Sequence, residues 1–183
     1  MFSQQLLRMI NDLLDITRME SGEMLLHPRS LDTEVTAGEV IAAVQALARM
    51  KSITTSATVT PGLPPAWADG EMLHRVLINL VGNALKFTPT GGEVSLIIGP
   101  GPAGFLKLSV LDTGPGIPDG FQDIIFEKIG QVENGGEQDN LSSGLGLTFC
   151  KMAVEAHRGQ IWVEPLPDCG CSFSVLWPTA QTS

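Results

Sequence analysis

Leu77-Ile78-Asn79-Leu80-Val81-Gly82-Asn83-Ala84-Leu85-Lys86-Phe87-Thr88 carries two periodic signals in one stretch. Leu73, Leu77, Leu80, Val81 and Ala84 recur at helical spacing and mark a face for a core. Asn79, Asn83 and Lys86 fall at i, i+4 and i+7, so they share a different face. Asparagine is a poor choice for a helix interior, because its amide competes for backbone hydrogen bonds. Two in one stripe weaken the helix with no structural return. Taken alone, the stripe reads as an ordinary solvated face. An amide oxygen is nevertheless a hard donor suited to Mg²⁺, and Lys86, one turn on, offers a point charge to a phosphate.

Two downstream motifs change the weight of that stripe. Asp112-Thr113-Gly114-Pro115-Gly116-Ile117 follows a strand-like segment directly. Its glycines let the backbone turn sharply and approach a ligand, although Asp, Gly and Pro also dominate plain turns. Gly144-Leu145-Gly146-Leu147 opens a helical segment, where bare backbone amides favour anions. A polar helix face, a carboxylate on a tight turn and a glycine-lined helix start are together what a magnesium-nucleotide site needs.

Outward from these motifs the chain reads as mixed helix and strand. Residues 1 to 20 form an apolar-faced helix through Leu6, Met9, Ile10, Leu13, Leu14 and Ile16, ended by Ser21-Gly22. It needs a partner, either the domain itself or a second copy. A second helix spans 38–50, with Asp32 or Thr33 as cap, and a third runs from the Asp69 cap to Phe87. A fourth spans 144–157. Strands are expected at 53–60, 66–68, 93–98, 105–111, 160–164 and 172–176. Residues 118–143 read as a long loop with a helical turn at 124–128, and such loops are usually functional. With the later strands adjacent in sequence, the expected fold is an α/β (α+β) two-layer sandwich. Its mixed, mostly antiparallel sheet packs on three helices.

Composition bounds the rest. The chain has 183 residues, enough for one good core, and 43% hydrophobic content fits a globular domain. A formal charge of −9 argues against nucleic-acid binding and requires any phosphate site to build its positive potential locally. No apolar run is long enough to span a bilayer, and no secretory signal is present, so no membrane contact by this chain is expected. Three cysteines, an odd and sparse set, argue against a disulfide framework and fit a reducing, cytoplasmic setting. Cys169-Gly170-Cys171 has no second Cys/His pair at ligand spacing, so it reads as two small residues in a strand.

The order and spacing of these motifs resembles the catalytic, ATP-binding domain of sensor histidine kinases, over nearly the whole chain. Phe121, Phe126 and Lys128 resemble the family's lid segment (about 118–143), and Gly170-Cys171-Ser172-Phe173 its last glycine box. The resemblance implies ATP and Mg²⁺ as cofactors and Asn83 as the magnesium ligand. Asn79, Lys86 and Lys128 would be the catalytic, phosphate-side residues, with Phe87 against the nucleotide. Asp112 would accept from the adenine amine, walled by Gly114, Gly116 and Ile117. Gly144, Leu145, Gly146, Leu147 and Ser172 complete the implied site. The lid departs from the family: Ile129 and Gly130 replace an aromatic pair, Glu133, Glu137 and Asp139 add negative charge, and Ser142 stands where a glycine is usual.

Related ATPases of the gyrase, mismatch-repair and heat-shock chaperone kind carry a glutamate where Asn79 stands. An amide cannot accept a proton at neutral pH, so the implied site holds ATP with little hydrolysis and awaits another nucleophile. In the resembling family that nucleophile is a histidine of the dimerisation domain. His27, His74 and His157 lie outside the family's acceptor context. Residues 1–21 resemble the end of the second dimerisation helix and its junction, leaving 22–183 as the catalytic domain. The first helix, with the acceptor histidine, is then expected before residue 1. The implied partners are that dimerisation (phosphoacceptor) domain and a response-regulator receiver domain, with the chain itself a monomer or weak homodimer through residues 1–20. Alternative readings are a non-catalytic nucleotide-binding regulator and a serine kinase of the anti-sigma-factor type.

Overall fold

A computed structural model describes residues 2–118, 120–122, 124–127, 145–167 and 169–180. Chain order is α1 (Phe2–Glu20), β1 (Arg29–Leu31), α2 (Thr33–Met50), β2 (Thr54–Val59), β3 (Ala66–Ala68), α3 (Gly70–Phe87), β4 (Glu93–Pro100) and β5 (Phe105–Asp112). A 3₁₀ turn (Ile124–Phe126) follows, then α4 (Leu145–Ala156), β6 (Gln160–Pro165) and β7 (Cys171–Pro178). The main sheet has the order β2-β4-β5-β7-β6, and β1 and β3 form a small separate ribbon. Only β2 with β4 is parallel; the other pairs are antiparallel. Helices α2, α3 and α4 pack against this sheet, which is the expected two-layer sandwich.

Burial follows the alternation of the strands. Val94, Leu96 and Ile98 of β4, Leu106, Leu108 and Val110 of β5, and Phe173, Val175 and Trp177 of β7 are buried. They meet Leu73, Leu77, Leu80 and Leu85 of α3 and Phe149 of α4, all essentially inaccessible. Asp69 starts α3 as its N-cap, its Oδ1 accepting from the amides of Glu71 and Met72. Asp32 does the same for α2 at Glu34 and Val35. That cap carries α2 through β-branched Thr33, Val35 and Thr36, so it begins at Thr33 rather than at residue 38. Strand β1 was not foreseen, because Arg29-Ser30-Leu31 holds no β-branched or aromatic residue to signal a strand.

Helix α1 packs on the domain. Ile16 is fully buried, while Ile10, Leu13 and Leu14 remain about half exposed on another face. The fold ends α1 at Glu20, with Gly22 at φ +70 in the turn that follows. Among the described residues no helix is long and apolar enough to cross a membrane. Lys128, Gly144, Ile129, Gly130, Glu133, Glu137, Asp139 and Ser142, and so most of the expected 118–143 lid, lie outside the described residues.

Candidate functional site

Helix α3 buries one face and leaves Asn79, Asn83 and Lys86 part-exposed on the other, as its periodicity requires. Its last turn is fastened firmly. Thr88 donates to the Ala84 carbonyl through its amide (2.9 Å) and its hydroxyl (2.7 Å). The Lys51 ammonium, from the end of α2, donates to the carbonyls of Leu85 and Lys86. These are carbonyls that a helix end would otherwise leave unpaired, and a cation there also meets the negative end of the helix dipole. Lys86 Nζ lies 4.9 Å from the centre of the Phe87 ring, and that ring is about half exposed.

Two loops meet the helix at separate points. A Cβ at Gly114 would lie 3.2 Å from the Phe87 carbonyl oxygen, so the Asp112 loop abuts the end of α3. A Cβ at Gly146 would lie 3.7 Å from the Asn79 amide, so the first turn of α4 abuts the helix two turns earlier. The two contacts are about 12 Å apart along α3, with Asn83 between them. An extended ligand can therefore reach the Asp112 loop at one end and the α4 amides at the other.

Asp112 is buried at the end of β5. Its Oδ1 accepts from the Gly114 amide at 2.8 Å, and its Oδ2 accepts from the Cys171 thiol at 3.0 Å. Burial, and then the neighbouring carboxylate, push the Cys171 thiol well above the ordinary cysteine range, so it stays protonated as a donor. Gly170 holds φ +87, and a Cβ there would fall 1.8 Å from the Asp112 carbonyl oxygen. Only glycine allows that approach, and it brings Cys171 against the carboxylate. Gly116 lies over the Gly170 carbonyl, and Ile117 packs against the core.

The structure thus gathers Asn79, Asn83, Lys86, Phe87, Asp112, Gly114, Gly116, Ile117 and the start of α4 with Leu145, Gly146 and Leu147. Ser172 is a correction. It pairs with Leu111, and its hydroxyl lies 3.4 Å from that of Ser174, on the sheet face opposite the Asp112 carboxylate. The strand's period of two gives the place beside Asp112 to Cys171. Sequence reading missed Cys171, although its alternation with Phe173 and Val175 put it on the buried face. His157 is a second correction. It follows the last residue of α4, where the helix dipole favours a cation, yet burial lowers its pKa. Its Nδ1 donates to the Ala153 carbonyl at 2.7 Å, and its Nε2 accepts from the Asp69 amide at 3.1 Å, a pattern only the neutral ring can make. A cavity of about 480 Å³ lined by Asp32, Thr33, Val59, Thr60, Leu63 and Pro65 includes none of the site residues.

The donor set can be tested against a metal. Among the described residues no group of three His, Cys, Asp or Glu side chains could hold one. Neutral amide oxygens on an accessible stripe fit only an ion that takes most of its ligands from waters and phosphates, which is the habit of Mg²⁺.

Residues 68–181 match the family model described as histidine kinase-, DNA gyrase B-, and HSP90-like ATPase. Hybrid signal transduction histidine kinase D of Dictyostelium discoideum is 37% identical over 179 residues, covering 94% of this chain and 11% of that protein. Full-length ShkA, solved in complex with AMPPNP, superposes with a TM-score of 0.85 at 30% identity, covering 97% of this chain and 37% of that one. Histidine kinase ThkA, solved in complex with the response regulator protein TrrA, shares the fold at 23% identity. Its TM-score is 0.75, covering 97% of this chain and 49% of that one. The chain spans less than half the length of the curated relatives it matches.

Proposed function

Because the chain belongs to the family of histidine kinase-, DNA gyrase B- and HSP90-like ATPases, we propose that it binds ATP with Mg²⁺. It then presents the γ-phosphoryl group to a histidine of a dimerisation domain, as the catalytic part of a sensor histidine kinase. One observation carries this reading. A buried carboxylate, anchored by the Gly114 amide and the Cys171 thiol, heads the loop that abuts one end of the Asn79–Asn83–Lys86 stripe, and the start of α4 meets the other end.

Asp112 accepts a hydrogen bond from the adenine amine. A guanine carbonyl in the same place would face a carboxylate, so the pocket selects adenine strongly. Phe87 covers the base edge, Lys86 supplies charge to the phosphates, and the first amides of α4 cradle them. Asn83, with Asn79 beside it, would hold Mg²⁺, which when bound neutralises phosphate charge. Asn79 offers no base, so water is not activated and the phosphoryl group waits for an imported nucleophile. Catalysis is then positioning plus charge neutralisation. The acceptor histidine and, after it, the receiver domain of a response regulator are the proposed partners, in the cytoplasm.

The test is calorimetric titration with Mg-ATP, followed by addition of a dimerisation domain and ATP labelled at the γ position. Saturable binding that is lost in Asp112→Asn, with label appearing on the acceptor histidine, supports the reading. Label on a serine of an added protein supports the anti-sigma-type alternative. Binding without transfer to either supports a regulator.

A further inference from the structure

Arg75 is the residue one turn before Asn79 on the same stripe, at i relative to Asn79 at i+4 and Asn83 at i+8. Its guanidinium stacks 4.2 Å from the centre of the Phe149 ring on α4, three residues past Gly146. Phe149 is the fifth residue of α4, so Arg75 lies one helical turn beyond the Gly146–Asn79 contact, at the end of the stripe farthest from Asp112. It is also paired to Asp15 of α1 at 2.6 Å, with side chains 25% and 18% exposed. Ile16, next in sequence, is fully buried, so α1 is seated where this ion pair forms.

We propose that Arg75 is a specificity residue that distinguishes ATP from ADP by binding the terminal phosphate, and that Asp15 competes with that phosphate for its guanidinium. The proposal rests on the nucleotide reading above. A nucleotide whose base lies at Asp112 runs its phosphates along the stripe past Asn83 and Asn79, and Arg75 is the next cationic side chain on that line. Guanidinium meets phosphate and carboxylate with the same planar fork, so the two anions are interchangeable partners. Phe149 holds the planar group in place for either. The position of α1 and the identity of the nucleotide are thereby linked, because each draws on one cation in a chain of net charge −9.

The experiment compares dissociation constants for Mg-ADP and Mg-AMPPNP by calorimetry in the unmodified chain, Arg75→Gln, Arg75→Lys and Asp15→Asn. Expected is a preference for AMPPNP that falls about tenfold in Arg75→Gln, in line with loss of one charge-assisted contact. Arg75→Lys restores part of it. Asp15→Asn increases it a few-fold, because the competing carboxylate is gone. Equal weakening of both nucleotides in Arg75→Gln, with no effect of Asp15→Asn on their ratio, assigns Arg75 a purely structural role and overturns the proposal. An unchanged ratio in every variant overturns it too. Absence of any nucleotide binding by the unmodified, folded chain overturns the functional reading itself, and this inference with it.

Discussion

At the residue scale, the site turns on how Asp112 is held. Its two oxygens take different donors, a backbone amide and a thiol that burial holds in its protonated form. Asp112→Asn keeps the shape but presents an amide to the Cys171 thiol and, on the proposed reading, to the adenine amine. Mg-ATP affinity is expected to fall at least 100-fold in a calorimetric titration while the thermal midpoint changes little. The three cysteines offer a second check. Cys169 is exposed, whereas Cys150 and Cys171 are buried and Cys171 stays a thiol. Iodoacetamide at neutral pH is expected to label Cys169 alone in the folded chain, and all three after denaturation, as read by peptide mass spectrometry. The Asp112 and Asn79–Asn83 motifs were legible because each puts an unusual polar residue in a recognisable periodic frame. Cys171 was not, because a thiol on a buried strand face looks like any small core residue until its neighbour across the ladder is known.

At the element scale, helix α3 is clamped at both ends by residues far away in sequence. At its end, Lys51 covers two last-turn carbonyls. Lys51→Met removes both charge-assisted bonds and is expected to destabilise the fold by about 2 kcal/mol in urea unfolding. At its start, the His157 ring accepts from the amide of the Asp69 cap, while Asp69 Oδ2 also accepts from the His27 amide. His157 lies 4.6 Å from Trp177, centre to centre, so β7 also touches this junction. Its folded pKa lies below the ordinary 6.5, chiefly through burial. The unfolded chain therefore binds the proton first, and stability present above pH 6.5 is lost as pH falls toward the lower folded value. The slope from this one group cannot exceed about 1.4 kcal/mol per pH unit. Urea midpoints measured from pH 7.5 to 5 are expected to drop, and His157→Gln to flatten that dependence while lowering stability at pH 7.5. Helix-capping signals were visible at Asp32 and Asp69, and the elements they start were found. The cross-chain clamps were not, since nothing local in Lys51 or His157 names the carbonyl or amide that each one meets.

At the scale of the whole molecule, the sandwich was readable from element order, while the seat of α1 was not. An amphipathic helix shows that it has an apolar face, but not which surface covers it. Among the described side chains, the structure divides that face in two. Ile16 goes to the domain, next to the Asp15–Arg75 pair, and Ile10, Leu13 and Leu14 stay about half exposed. Among the described side chains of α1, three part-exposed aliphatic groups on each of two copies bury far less surface than a stable dimer interface needs, roughly 1,200 Å² or more. Domain contact through Ile16 and any self-association through Ile10, Leu13 and Leu14 would therefore use different side chains of α1. Sedimentation equilibrium is expected to give a monomer at low micromolar concentration, with dimer appearing only as the concentration approaches the millimolar range. Leu13→Glu with Leu14→Glu is expected to abolish that dimer and to leave the thermal midpoint within about 2 °C, since neither side chain contributes to the buried core. A tight dimer that survives the double substitution would place the contact elsewhere on the molecule. A large loss of thermal stability would mean that the exposed side of α1 also supports the fold.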